Sequence, residues 1–113
     1  MSAHNLDLHV IDQPLVRSAI EAMNSRNKKQ WYRLFFDKPK LTDDGNPQDF
    51  SEWSEREVFG SSIAYLASID KVEDAGTTIY GKFHSDQGGD FKTFVRFHLE
   101  NDKITKLEVG QTE

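Results

Sequence analysis

The 113-residue chain contains no cysteine, which excludes disulfides, thiolate metal sites and a cysteine nucleophile. Positive charge is in short supply: 14 Lys and Arg stand against 19 Asp and Glu, a net charge of −5. Nucleic-acid binders present basic faces that track phosphates, and the only basic cluster here, Arg26-Asn27-Lys28-Lys29, is too short to make one. No apolar run approaches the ~18 residues of a membrane span, and Met1-Ser2-Ala3-His4-Asn5 does not open as a signal peptide. The expectation is a soluble, cytoplasmic protein with no membrane and no nucleic-acid partner. Histidine and carboxylates show no metal-ligand spacing of the HExxH kind, so neither a metal nor a cofactor is expected. Internal repeats, linkers and low-complexity tracts are absent as well.

Apolar residues make up 36% and aromatic residues 12% of the chain, with eight phenylalanines, which is ample for a core. A chain of this length forms one domain and buries roughly two-thirds of its surface. The last third carries the clearest pattern. Ile79, Gly81 and Phe83 alternate with Tyr80, Lys82 and His84; Thr93, Val95, Phe97 and Leu99 alternate with Phe94, Arg96 and His98; Thr105, Leu107 and Val109 alternate with Lys106 and Glu108. Period-two alternation bounded by Asp86–Asp90 and by Glu100-Asn101-Asp102 predicts three antiparallel strands joined by two tight turns. Such a sheet has one apolar face that the rest of the chain must cover.

Residues 1–12 offer only Leu6, Leu8, Val10 and Ile11 as anchors and read as a loosely attached leader. Pro14 suits a first helical turn, and a helix is predicted to about Asn24 with Leu15, Ala19, Ala22 and Met23 on one stripe. After a turn in which Asn27 can cap, a second helix runs from Lys28 to about Phe36, with Trp31, Leu34 and Phe35 on its apolar side. Lys40-Leu41-Thr42-Asp43 is predicted as a short strand entering Gly45-Asn46-Pro47. A third helix follows, with Ser51 as N-cap, Phe50, Trp53, Val58 and Phe59 apolar, and Gly60 as the stop. Ser62 to Glu73 alternates again as a fourth long strand. Helices first and strands last mean α+β, with helices packed on one face of a curved antiparallel sheet, and a curved sheet closed by helices is a cone with an interior.

Several stretches carry a resemblance: Trp31-Tyr32-Arg33-Leu34-Phe35-Phe36, Leu41-Thr42-Asp43-Asp44-Gly45, Arg56-Glu57-Val58-Phe59-Gly60, and the hairpin-rich end with Asp102-Lys103-Ile104. In this order and spacing, over about residues 13–110, the chain resembles the nuclear transport factor 2-like superfamily, and within it the SnoaL-like group. The resemblance implies a cystatin-like conical fold over the whole of residues 1–113. It does not choose among the superfamily's ketosteroid isomerase-like enzymes, polyketide cyclases, dehydratases and non-catalytic binding or dimerisation domains.

Carried over residue by residue, the resemblance places a carboxylate base on or next to Asp44, at the mouth of an apolar cone where it can take a proton α to a carbonyl. The plainer reading is that Asp43-Asp44-Gly45-Asn46-Pro47 is a turn held by side-chain to backbone bonds. The oxyanion donors of the isomerases have no counterpart: the helix tyrosine falls near Ala19 and the second donor near Val95. Each such donor is worth roughly 3–4 kcal/mol, so a standard isomerase is disfavoured. Asp49 and His84 are further acid–base candidates, and His84 and His98 also read as sheet-face residues. Trp53, Phe36, Val95 and Phe97 are expected to form the cavity wall. Two functions remain: a cone that binds a small, largely apolar molecule, as an isomerase, dehydratase or cyclase using Asp44, or a non-catalytic homodimeric module. The resemblance places that homodimer on the outer sheet face, at Phe94, Arg96 and His98.

Overall fold

The computed structural model describes residues 6–61, 63–86 and 88–112. The stretch Met1–Asn5, Ser62 at the expected start of the fourth strand and Gln87 in the expected turn lie outside these. Helix α1 spans Pro14–Ser25 and α2 spans Lys28–Leu34. Pro14 occupies the first turn of α1, where its missing N–H is no loss, and the Gln13 side chain accepts from the Leu15 N–H at 3.1 Å. Arg26 ends α1 in the left-handed conformation, and Asn27 caps α2 by accepting from the Gln30 N–H at 3.2 Å. The stripe of α1 that faces the sheet is Val16, Ala19, Ile20, Ala22 and Met23, all buried.

The leader is docked from Leu6 onward. Leu8–Val10 form a 3-10 turn, Ile11 is fully buried, and the Arg17 guanidinium donates twice to the Ile11 carbonyl, at 3.1 and 2.7 Å. Of the apolar side chains that read as weak anchors, Leu6, Leu8 and Ile11 thus contribute to the core, while Val10 is exposed.

Strand β1 spans Phe35–Asp43 and begins directly after Leu34, five residues earlier than the alternation suggested. Lys38 precedes Pro39, which disfavours the helical conformation, so the chain extends from Phe35 instead of continuing α2. Extended backbone alternates faces. Phe35 therefore turns inward, packing its ring 4.3 Å from Phe50 and 4.8 Å from Trp31, while Phe36 turns outward and is 57% exposed. Strand β2 (Asn46–Gln48) follows a two-residue turn in which Asp44 and Gly45 have φ of 52° and 84°, the positive pair that a tight hairpin needs. Helix α3 (Phe50–Trp53) is capped by Asp49, not Ser51, and continues as a π-helical turn over Ser54–Val58.

Strands β3 (Ala64–Glu73), β4 (Thr78–Ser85), β5 (Gly89–Glu100) and β6 (Lys103–Gln111) complete one six-stranded sheet in the order β2-β1-β6-β5-β4-β3. All neighbours are antiparallel except β1 and β6, which run parallel. The Asn101-Asp102 turn uses the same positive-φ pair, at 50° and 66°. Register shifts in β3, at Leu66–Ser68 and Ile69–Lys71, and in β5, at His98–Leu99, bend the strands and curl the sheet around the helices. At one of them the backbone of β3 leans over Gly81 so closely that a Cβ there would lie 1.9 Å from the Ser68 carbonyl oxygen; only glycine fits. The concave face is lined by Leu66, Ile79, Val95, Phe97, Ile104 and Leu107, all buried under α1 and α2.

Two polar side chains fasten the helices from inside, one to the sheet and one to the π-helical turn. Asn24 of α1 donates to the Leu66 carbonyl at 3.0 Å and accepts from the Leu66 N–H at 2.9 Å, pairing the strand as a neighbouring backbone would. Trp31, 1% exposed, donates its indole N–H to Ser54 Oγ at 3.1 Å. Both satisfy groups whose burial without a partner would cost about 1–3 kcal/mol each.

Candidate functional site

Between the concave face and the helices lies a cavity of about 570 Å³. Its walls are apolar: Met23 from α1, Trp31 from α2, Trp53 from α3, Phe83 from β4, Val95 and Phe97 from β5, Leu107 and Val109 from β6. Its mouth lies where β1, β4 and β6 end and β3 and β5 begin, with Asp44, Arg56, Glu57, Ser85, Gly88, Phe91 and Gln111 around it. A volume of this size suits a drug-sized molecule, and apolar walls with few polar groups are the usual make-up of such sites.

One carboxylate faces this interior, and it is Asp43. Asp43 pairs across the sheet with Val109 and shares its inward face. The Trp53 indole donates to Asp43 Oδ2 at 3.0 Å; Asp43 Oδ1 accepts no hydrogen bond among the described residues. The carboxylate is half-buried and oriented from one side, with its second oxygen open to the cavity. The remaining inward hydroxyl, that of Thr93, is engaged: it donates to the Gly110 carbonyl at 2.7 Å.

Asp44 does something different. Its position in the positive-φ turn swings the side chain to the rim, where Oδ1 accepts from the Gln111 N–H at 2.9 Å. Its own N–H donates to the Val109 carbonyl at 2.9 Å. Oδ1 sits 2.9 Å from where a Cβ of Gly110 would be, on the same side as the Phe94 ring, which belongs to the convex face. Asp44 therefore closes the β1–β6 ladder at its end, and the carboxylate that looks into the cone is the residue before it. The turn decides this: Asp43 is the last residue of β1, and the positive φ of Asp44 just beyond it sends the two side chains to different sides.

No protein-family model matches the sequence, and no curated protein is significantly similar to it. Solved structures are. An NTF2-like protein of unknown function from Cytophaga hutchinsonii superposes with a TM-score of 0.68 at 16% identity, over 97% of this chain and 94% of its own. The fold is NTF2-like. A proposed polyketide cyclase from Sinorhizobium meliloti gives 0.66 at 16% identity, over 87% of this chain and 95% of its own. A computationally designed binder of 17-OHP gives 0.66 at 10% identity, over 84% of this chain and 86% of its own. Identities this low establish the fold and leave the chemistry to the site itself.

Within the NTF2-like cone, Trp53, Val95 and Phe97 all line the cavity. Phe36 does not: it lies on the convex face, at the other end of the sheet, for the strand reason given above. Ala19 is fully buried and Val95 lines the wall, so neither position supplies a hydrogen-bond donor to the interior. Asp49 caps α3 by accepting from the Glu52 N–H at 2.9 Å. His84 and His98 both lie on the convex face. His84 stands between Asp90 (2.5 Å) and Asp86 (2.9 Å), which raise its pKa above the usual 6.5. His98 contacts Glu108 at 2.5 Å and holds that carboxylate below its usual range. Tyr32, pushed up to about 12 by burial and by Glu55, stays protonated and donates to Glu55 at 2.7 Å. Sequence reasoning put the carboxylate on or next to Asp44 without singling out Asp43, and missed the π-helical turn that brings Arg56 and Glu57 to the mouth. The alternation Leu41–Asp43 was the available signal for the first.

Among the described residues no cluster of His, Asp and Glu is arranged to hold a metal ion, and no helix is long and apolar enough to cross a membrane.

Proposed function

We propose that the protein binds a small, largely apolar molecule in its cone, with Asp43 receiving the ligand's one polar proton. The observation that carries this reading is Asp43 lining the cavity beside its apolar walls, with an Oδ1 that accepts no hydrogen bond among the described residues. A hydroxyl or ammonium group placed there gains a charge-assisted hydrogen bond, while the rest of the ligand gains burial at about 25 cal/mol per Å². The designed 17-OHP binder of the same fold supports the use of such a cone for a small apolar ligand.

Asp43 also has the geometry of a general base, and proton transfer of the isomerase, dehydratase or cyclase kind is the chemistry it would perform. Developing negative charge on a substrate oxygen would then be met by the mouth residues Arg56, Gln111 or Ser85, since the wall donors among the described residues, the Thr93 hydroxyl and the Trp31 and Trp53 indoles, are already engaged.

Native mass spectrometry of the freshly purified protein, followed by denaturation, tests the binding reading. A defined adduct that is lost from Asp43→Asn is expected. The chain's two tryptophans both line the cavity, so their emission should also respond to hydroxylated polycyclic compounds. An adduct-free protein whose emission no such compound changes would refute the proposal.

A second reading rests on the convex face, which none of the helices among the described residues covers. Phe94 lies there with the Arg96 guanidinium 5.3 Å from its ring, beside Tyr80 and His98. We propose this face as the seat of a homodimer. Sedimentation of wild type against Phe94→Glu decides it: a dimer that becomes monomeric supports the interface, and a monomeric wild type removes it.

A further inference from the structure

A second concavity, of about 580 Å³, lies on the convex face at the end of the sheet remote from the cone's mouth, and shares no residue with the cavity. Its charge is opposite to that of the chain. Lys38, Lys40, Lys103 and Lys106 line it against a single carboxylate among the described residues, Glu100, in a protein of net charge −5.

Register explains how the charges converge. Lys40 of β1 lies directly opposite Lys106 of β6, and Lys106 directly opposite His98 of β5, so three nitrogen-bearing side chains form one row across three strands spaced about 4.8 Å apart. Like charges placed directly opposite one another oppose folding. Lys103 is held in place by donating to the Arg33 carbonyl at 2.8 Å, and His98 is held by Glu108. Lys38 and Lys40, in contrast, have no hydrogen-bond or ion-pair partner among the described residues. Along β1 from that row, the Phe36 ring stands 57% exposed, two and four residues before these lysines, and lines the same groove.

Lysines with a proline on an unpaired strand edge often serve to prevent pairing with other chains, and Lys38-Pro39-Lys40, on the part of β1 that β2 does not reach, fits that role. An exposed phenylalanine beside them works against it. The lining also contains no guanidinium: arginine forks match planar carboxylates, whereas ammonium groups act as point charges suited to a multiply charged phosphate.

We propose that this groove binds a small aromatic phosphate of mononucleotide size, its phosphate held by Lys38, Lys40 and Lys106 and its ring laid on Phe36. The like-charge row is then neutralised by the ligand, and the exposed ring is covered.

Calorimetric titration with adenosine monophosphate, phenyl phosphate and inorganic phosphate at low salt tests this. Saturable binding of the two aromatic phosphates is expected, weakening with added salt. Lys40→Gln and Lys106→Gln should each weaken it roughly tenfold, the scale of one charge-assisted hydrogen bond. Phe36→Ala should weaken the aromatic phosphates and leave inorganic phosphate unchanged. Lys40→Gln relieves repulsion and should melt no lower than wild type; Lys106→Gln also gives up the attraction of Lys106 to Glu108, so its cooperative melt is checked to lie well above the titration temperature, and lost binding then cannot be attributed to lost folding. Absence of saturable heat with all three probes overturns the proposal, as do lysine variants that bind like wild type. A dimer that Lys106→Glu splits, with no phosphate binding in wild type, would likewise overturn it and assign the groove to self-association.

Discussion

The Trp53 indole and the Asp43 carboxylate meet at 3.0 Å across the mouth of the cone, joining α3 to the last inward position of β1. The bond orients the carboxylate and leaves one oxygen free. A hydrogen bond to a charged partner contributes about 1.5–3 kcal/mol. Trp53→Phe is therefore expected to lower stability by about 1–3 kcal/mol, and a double-mutant cycle with Asp43→Asn should give a coupling energy of at least ~0.5 kcal/mol in urea denaturation. Purely additive losses would mean that the pair is not coupled in solution.

Asp44 and Asp43 should separate cleanly. Asp44→Asn keeps both an oxygen for the Gln111 N–H and a residue type that tolerates positive φ, so it should be close to neutral in stability. Asp44→Ala loses the bond and adds strain, for a cost of about 1–2 kcal/mol. Neither should alter ligand binding, whereas Asp43→Asn should. Loss of binding in Asp44→Asn, with unchanged melting, would return the functional carboxylate to Asp44.

The buried clamp between Asn24 and Leu66 gives the largest expected loss. Asn24→Ala strands the N–H and the carbonyl of Leu66 inside the protein, at about 1–3 kcal/mol each. Equilibrium unfolding should show a loss of about 2–5 kcal/mol, with protection from hydrogen exchange lost first at Leu66. A loss below ~1 kcal/mol would indicate that water replaces the side chain.

The contrast between these residues shows what the chain discloses before it folds. The four long strands, the inward set Ile79, Val95, Phe97 and Leu107, and the first-turn proline of α1 follow from periods of two and 3.6, and these survive folding because they express burial on one face. The site was harder to read. Phe36 sits at a junction where a helix becomes a strand, and a change of period there moves a side chain to the other face. Asp43 and Asp44 are adjacent, and only the turn's two positive φ values determine which one looks inward. The clamp of Asn24 on Leu66, 42 residues apart, has no local signature at all.

His84 provides the pH dependence. Asp90 first, and then Asp86, hold its folded pKa above the usual 6.5, so folding favours the protonated imidazole. The stabilisation is fully present below the unfolded value and fades as pH rises through the raised folded value. Neutral imidazole has a single N–H and can serve only one of the two carboxylates. The melting temperature of wild type relative to His84→Asn should thus be highest below pH 6.5 and converge as pH rises through the raised folded value. Because Ser85, Gly88 and Phe91 of the same hairpin border the cone's mouth, ligand release should quicken over that range in wild type and not in the variant. An NMR titration that places the His84 pKa at or below 6.5 would contradict the sign of the effect and, with it, the argument for the mouth.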